Sequence, residues 1–145
     1  MATAIGILKQ IGFLMTFTAG AAVNARRYVM LDGSGDIVEA GAGEPAWVGI
    51  ALATYASGAT DAVIVPRGVV VNAVPAGNVT VAVLAQVAAT GKVQNYAAVN
   101  ISDVFADTEV EGALDDILSV VGVFLETSTA TKGNVRVMQF NAPAR

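Results

Sequence analysis

YVMLDGSGDIVEAGAGE spans Tyr28 to Glu44 and sets two acids, Asp32 and Asp36, around a Gly-Ser-Gly core, with a second glycine-rich run behind them. The fold depends on whether these glycines hold a ligand or bend the chain. An EF-hand calcium loop would continue from Asp32 with acids or amides at alternate positions and a Glu at the twelfth, between two helices. Here Val38 breaks the ligand series and the flanks are β-branched runs. A Walker-type phosphate loop needs Gly-Lys-Ser/Thr, and no Lys is near; the dinucleotide fingerprint fails because no helical pattern follows the glycines. A strand, a hairpin turn and a second strand explain every residue, with glycines supplying positive φ and Asp32 bonding its own backbone.

The same grammar continues outward. "WVGIALA", "DAVIVP", "GVVVNAV", "NVTVAVLA" and "KVQNYAAV" are apolar runs separated by "AGAGEP", "ASGATD", "PRG", "PAGN" and "ATG". Turn signals about every ten residues predict a mainly β domain, a small antiparallel barrel or sandwich. Short loops favour antiparallel neighbours. Pro66 and Pro75 stand at the ends of runs, where a missing N–H does least harm to a ladder.

One segment differs in kind. Between Lys92 and Lys132 every charged residue is acidic, from Asp103 to Glu126. Thr108 and Glu111 make a capping box, and Val110, Ala113, Leu114, Ile117 and Leu118 recur at helical spacing. One short helix is predicted near residues 109–119, weakened at Gly112. Its acids spread around the helix and cannot converge on a cation or form a catalytic pair, so segment 103–116 reads as a capped, solvated face. "SVVGVFLE" and "NVRVMQF" then close the domain as two strands.

At the other end, Ile11, Phe13, Met15 and Phe17 alternate with smaller or less apolar neighbours, which is the period of a strand with one apolar face. The uncharged run from Ile11 to Val23 is too short to cross a bilayer, which needs about 20 residues. Residues 1–18 are read as an extended arm or edge strand and residues 19–145 as a single β-rich domain. An arm of this kind can add as a strand to a neighbour's sheet edge.

Composition narrows the function. Only 14% of the 145 residues are charged, against about 25% in an average soluble domain. A surface so poor in charge suggests self-association or docking on a larger assembly. The net charge of −4 and the scattered basic residues argue against nucleic acid as a partner. Neither Cys nor His occurs, which excludes thiol and Ser-His-Asp chemistry and the usual zinc ligand sets. No enzyme, cofactor or metal site is expected.

Taken in order, "RRYVMLDGSGDIVEAGAGEPAWVGIAL", "ASGATDAVIVPRGVVVNAV", "PAGNVTVAVLAQVAATGKV" and "SVVGVFLETSTATKGNVRVMQF" resemble the small capsid decoration, or cement, proteins of tailed bacteriophages, of the lambda head-decoration type. The resemblance covers Ala19 to Phe140. It implies a structural virion protein, made in the host cytoplasm, that binds the outer surface of the expanded head as a homotrimer. There it would bridge major capsid proteins and stabilise the shell, with neither nucleic acid nor membrane as partner. Ile5, Ile7, Leu8, Ile11, Phe13, Met15 and Phe17 are then the capsid-contact candidates, and Trp47 is either a core residue or a trimer contact. The acidic helical segment departs from the shortest members, where a loop usually lies.

Two other classes compete. One is a secreted β-domain binding carbohydrate or a protein ligand, with residues 1 to about 25 removed as a signal peptide. The other is a glycosidase using paired carboxylates, for which the aromatic platforms are scarce.

Overall fold

The structure, a computed structural model, describes residues 14–97, 114 and 117–140. Ten strands follow in chain order: β1 (Met15–Phe17), β2 (Tyr28–Leu31), β3 (Ile37–Glu39), β4 (Trp47–Ala51), β5 (Ala62–Pro66), β6 (Val70–Ala73), β7 (Leu84–Val87), β8 (Val93–Asn95), β9 (Val120–Phe124) and β10 (Val135–Gln139). The first five form sheet I in the order β1-β5-β4-β2-β3, and the last five form sheet II in the order β6-β10-β9-β7-β8. All strand pairs are antiparallel. Each half of the chain therefore completes one sheet, and the sheets face each other as a sandwich rather than closing into a barrel. Leu114, Ile117 and Leu118 are helical, inside the predicted helix; residues 98–113, 115 and 116 lie outside the described residues.

The turn in the opening stretch forms as its residues require. Asp32 Oδ1 accepts from the N–H groups of Ser34 (2.8 Å) and Asp36 (3.0 Å), and Asp32 N–H donates to the Asp36 carbonyl at 2.8 Å. Gly35 takes φ 85°, a left-handed conformation that costs glycine little.

Sheet I is covered on both faces. Its inner face contributes Tyr28, Trp47 and Ile50 to the main core, where they meet Val71, Val121, Phe124, Val135 and Val137 of sheet II. Its other face builds a second core from Val29, Ile37, Ala51, Ala62 and Ile64, roofed by Ala19 and Val23 with Phe17 and Tyr55 beside them. The roof is stitched by main-chain bonds between Val23 and Tyr55 and between Ala19 and Ala59.

A bulge decides which core receives the tryptophan. The β2–β4 register passes from Val29↔Gly49 to Met30↔Trp47, leaving Val48 as an extra residue. Strict alternation back from Ile50 would turn Trp47 toward the second core; the extra residue sends it into the main core and leaves Val48 packing against the second. A second bulge, where Ala85↔Gly122 gives way to Gln86↔Val120, leaves Val121 as the extra residue and keeps that residue itself in the main core.

One predicted strand is shorter than its alternation suggests. "NVTVAVLA" yields strand only from Leu84. Val79 makes an isolated bridge to Ser128, and Ala82 adopts φ 65° with its N–H bonded to the Phe124 carbonyl. That left-handed residue breaks the extended run, so Val81 remains exposed instead of continuing the ladder.

Candidate interaction surfaces

Four of the described carboxylates, those of Asp32, Glu39, Glu44 and Glu126, accept from backbone N–H groups. Glu39 accepts from both the main-chain and the side-chain nitrogen of Asn24, at 2.9 Å each, and Glu44 accepts from Ala46 N–H at 2.9 Å. Glu126 accepts from Arg136 N–H at 3.0 Å and pairs with Lys132 at 3.3 Å. The donated Arg136 N–H is the main reason its carboxyl lies below the ordinary glutamate range, with Lys132 adding to it against a smaller opposing effect of burial. Among the described residues no three acids gather as a metal site would require.

At the mouth of the main core three side chains stack. The Tyr28 and Trp47 rings meet edge to face, 5.3 Å between centroids. The Arg67 guanidinium lies 3.6 Å from the Trp47 ring centroid and donates to the Trp47 carbonyl. This arrangement favours the cation electrostatically and fixes the indole. Burial pushes the Tyr28 phenol well above its ordinary range, opposed in part by Arg67. The Tyr28 hydroxyl has no hydrogen-bond partner among the described residues.

The outward face of sheet II is unlike an ordinary solvated face. Val70 opposes Met138, Met138 opposes Val123, Val123 opposes Leu84, and Tyr96 N–H bonds the Leu84 carbonyl. One apolar row thus crosses four strands, β6, β10, β9 and β7, and ends at Tyr96 just past β8. Val70 is 56% exposed and Met138 46%. Two shallow grooves adjoin sheet I. One, of about 550 Å³, runs beside Met15, Phe17, Leu31 and Leu118. The other, of about 470 Å³, lies where the edge of sheet I meets β6 and is lined by Leu14, Ile50, Val65, Val69, Val71 and Arg26.

Of the capsid-contact candidates, Met15 and Phe17 lie on β1, the edge strand of sheet I, with Met15 exposed and Phe17 half-buried. Ile5, Ile7, Leu8, Ile11 and Phe13 lie outside the described residues. Of the two places considered for Trp47, the structure puts the ring in the core, 1% exposed. The row on sheet II was missed, although a signal existed: "GVVVNAV" and "VRVMQF" place Val70 and Met138 at the positions that alternation assigns to solvent.

No family model matches this chain, and no curated protein sequence matches it. Among solved structures it is similar to the N base of the head fiber gp8.5 of bacteriophage phi29, with a TM-score of 0.60 and 16% sequence identity. The match covers 91% of this chain and 97% of that one. At that identity the likeness is one of fold.

Proposed function

We propose that this protein is a structural component of a tailed-bacteriophage head, attached to the outside of the capsid. The observation that carries the reading is the fold likeness to the phi29 head fiber base, which runs through nearly the whole of both chains. The sequence resemblance to decoration proteins points to the same kind of particle by a separate route.

The finer reading is that of a lambda-type cement protein: a homotrimer that bridges major capsid proteins and resists opening of the shell. Charge-poor composition and the apolar row on sheet II support it, because such a face is stabilised by burial against a neighbour. A standard stable interface buries about 800 Å² on each partner. Three linked copies would hold the shell more firmly than one without any new contact. The role is mechanical and requires no catalysis, cofactor or nucleic acid.

The secreted reading finds a physical objection. Removing residues 1 to about 25 would strip β1 and take Ala19 and Val23, both fully buried, from the second core. The test of the head reading is to add purified protein to undecorated expanded heads of the phage that encodes it and to sediment them. Saturable binding at micromolar protein, with heads that open at a higher temperature, is the expected result; absence of binding overturns it. Sedimentation equilibrium of the free protein at three times the chain mass checks the trimer.

A further inference from the structure

β6 lies at the edge of sheet II, and among the described residues it pairs with β10 alone. The Gln139 N–H bonds the Val69 carbonyl, so Val69, Val71 and Ala73 turn their main chain toward β10. Val70 and Asn72 turn theirs outward. The next outward donor, Val74 N–H, is already taken by the Arg26 carbonyl at 3.3 Å. Among the described residues that leaves a short free edge with a defined end.

Arg26 marks that end. Its N–H donates to the Ala51 carbonyl in sheet I while its carbonyl serves Val74 beyond β6, so its main chain ties the two sheets together. The tie holds Arg26 at φ 60°, an uncommon conformation for a residue with a Cβ. Its side chain is exposed and makes no ion pair among the described residues. Among the described residues it is also the one charged group on the 470 Å³ groove, whose other walls are mostly apolar.

We propose that β6 receives an added strand from a partner protein. The partner is an extended segment, apolar on the side that faces Leu14, Ile50 and Val65, with a carboxylate placed at the Arg26 end. Main-chain bonds to Val70 and Asn72 supply the pairing and the groove takes alternate side chains, which is how edge addition divides affinity from specificity. The single cation selects an acidic end over a basic one. This inference stands apart from the head reading, and its test needs no capsid.

The probe is a blocked hexapeptide, acetyl-Val-Thr-Val-Thr-Val-Glu-amide, titrated into the ¹⁵N-labelled full chain, with the Lys-ended peptide as comparison. Amide shifts concentrated at Val70 and Asn72 are expected, with the Glu peptide binding roughly two- to fivefold tighter, the range of an exposed ion pair. Asn72→Pro removes an outward N–H and spares the ladder to β10, and is expected to weaken binding at least roughly tenfold while the protein remains folded. Arg26→Gln is expected to abolish the difference between the two peptides. Absence of shifts with either peptide at millimolar concentration, shifts centred elsewhere, or equal binding of the two by the wild type overturns the proposal. So does slow hydrogen exchange at Val70 and Asn72 in the free protein, which would mean that its own chain or a second copy already occupies the edge.

Discussion

Gly122 offers a direct measure of how closely β9 and β10 approach. A Cβ built there would stand 1.9 Å from the Met138 carbonyl oxygen and 2.9 Å from Gln139 Cα, whereas real Cβ contacts essentially never fall under 3.0 Å. The obstacle is main chain, so Gly122→Ala must part the two strands by about 1 Å. The bonds that flank the position, Leu125 N–H to Arg136 at 3.0 Å and Phe140 N–H to Val121 at 2.9 Å, would then be stretched out of good geometry. Two weakened hydrogen bonds cost about 1 kcal/mol each, and overpacking in a close-packed interior adds about 1–3 kcal/mol. The expected loss is about 3–5 kcal/mol, a large share of the ~5–15 kcal/mol that domains possess. Urea unfolding followed by tryptophan fluorescence measures it, and a melting point lower by about 10 °C should accompany it. Gly41→Ala and Gly77→Ala, where an added Cβ meets nothing within 4 Å, serve as controls and should stay within about 0.5 kcal/mol of wild type. A Gly122→Ala loss below about 1 kcal/mol would refute the strand separation, since even the smallest overpacking cost would then be absent.

The aromatic stack gives further predictions. Arg67→Met keeps the aliphatic stem over Trp47 but removes the cation and its bond to the Trp47 carbonyl; a loss of about 2 kcal/mol is expected in the same urea assay. Tyr28→Phe removes a buried hydroxyl that has no partner among the described residues and should raise stability by about 1 kcal/mol, so a loss would show that the hydroxyl is satisfied. Because burial raises the folded-state Tyr28 pKa above 10.0, this phenol leaves stability independent of pH below that value and lowers it as pH rises beyond it toward the folded-state pKa. Alkaline titration at 295 nm should show one tyrosine that ionises only on unfolding, and this late step should vanish in Tyr28→Phe. Glu126 has the opposite sign: its folded pKa lies below 4.5, so its contribution is present above that pH and is lost as pH falls through the lower folded value. The stability gap between wild type and Glu126→Gln should therefore narrow from pH 7 toward pH 3, and a constant gap would refute the assignment.

The strands and the first turn were legible because their information is local. Asp32, Gly35 and the apolar runs around them dictate a hairpin through φ preference and a side-chain acceptor two and four residues from its donors. The choice of sandwich over barrel was not legible, because it depends on which strand edges meet and antiparallel runs leave that open. The bulge at Val48 was equally hidden. "WVGIALA" looks like a continuous strand, and only the partner strand reveals that one residue is extra. "NVTVAVLA" misled in the other direction, since its alternation is ideal for a strand but Ala82 bonds across to Phe124 in a left-handed conformation. The surface candidates divide similarly: the apolar period at Met15 and Phe17 announced a strand, whereas the sheet II row exists only once four separated segments are aligned.

The extra residue in β4 also affects how distant relatives of this chain are to be aligned. A sequence lacking the residue equivalent to Val48 would pair as a regular strand, Val29 with Gly49 and Met30 with Trp47, and would keep its side chain at position 47 in the main core beside that of Ile50. The tryptophan can therefore be retained with or without the one-residue insertion behind it. An alignment that gaps position 48 while retaining the tryptophan keeps Trp47 and Ile50 on the face they share, whereas one that closes the gap by sliding the tryptophan along the strand does not.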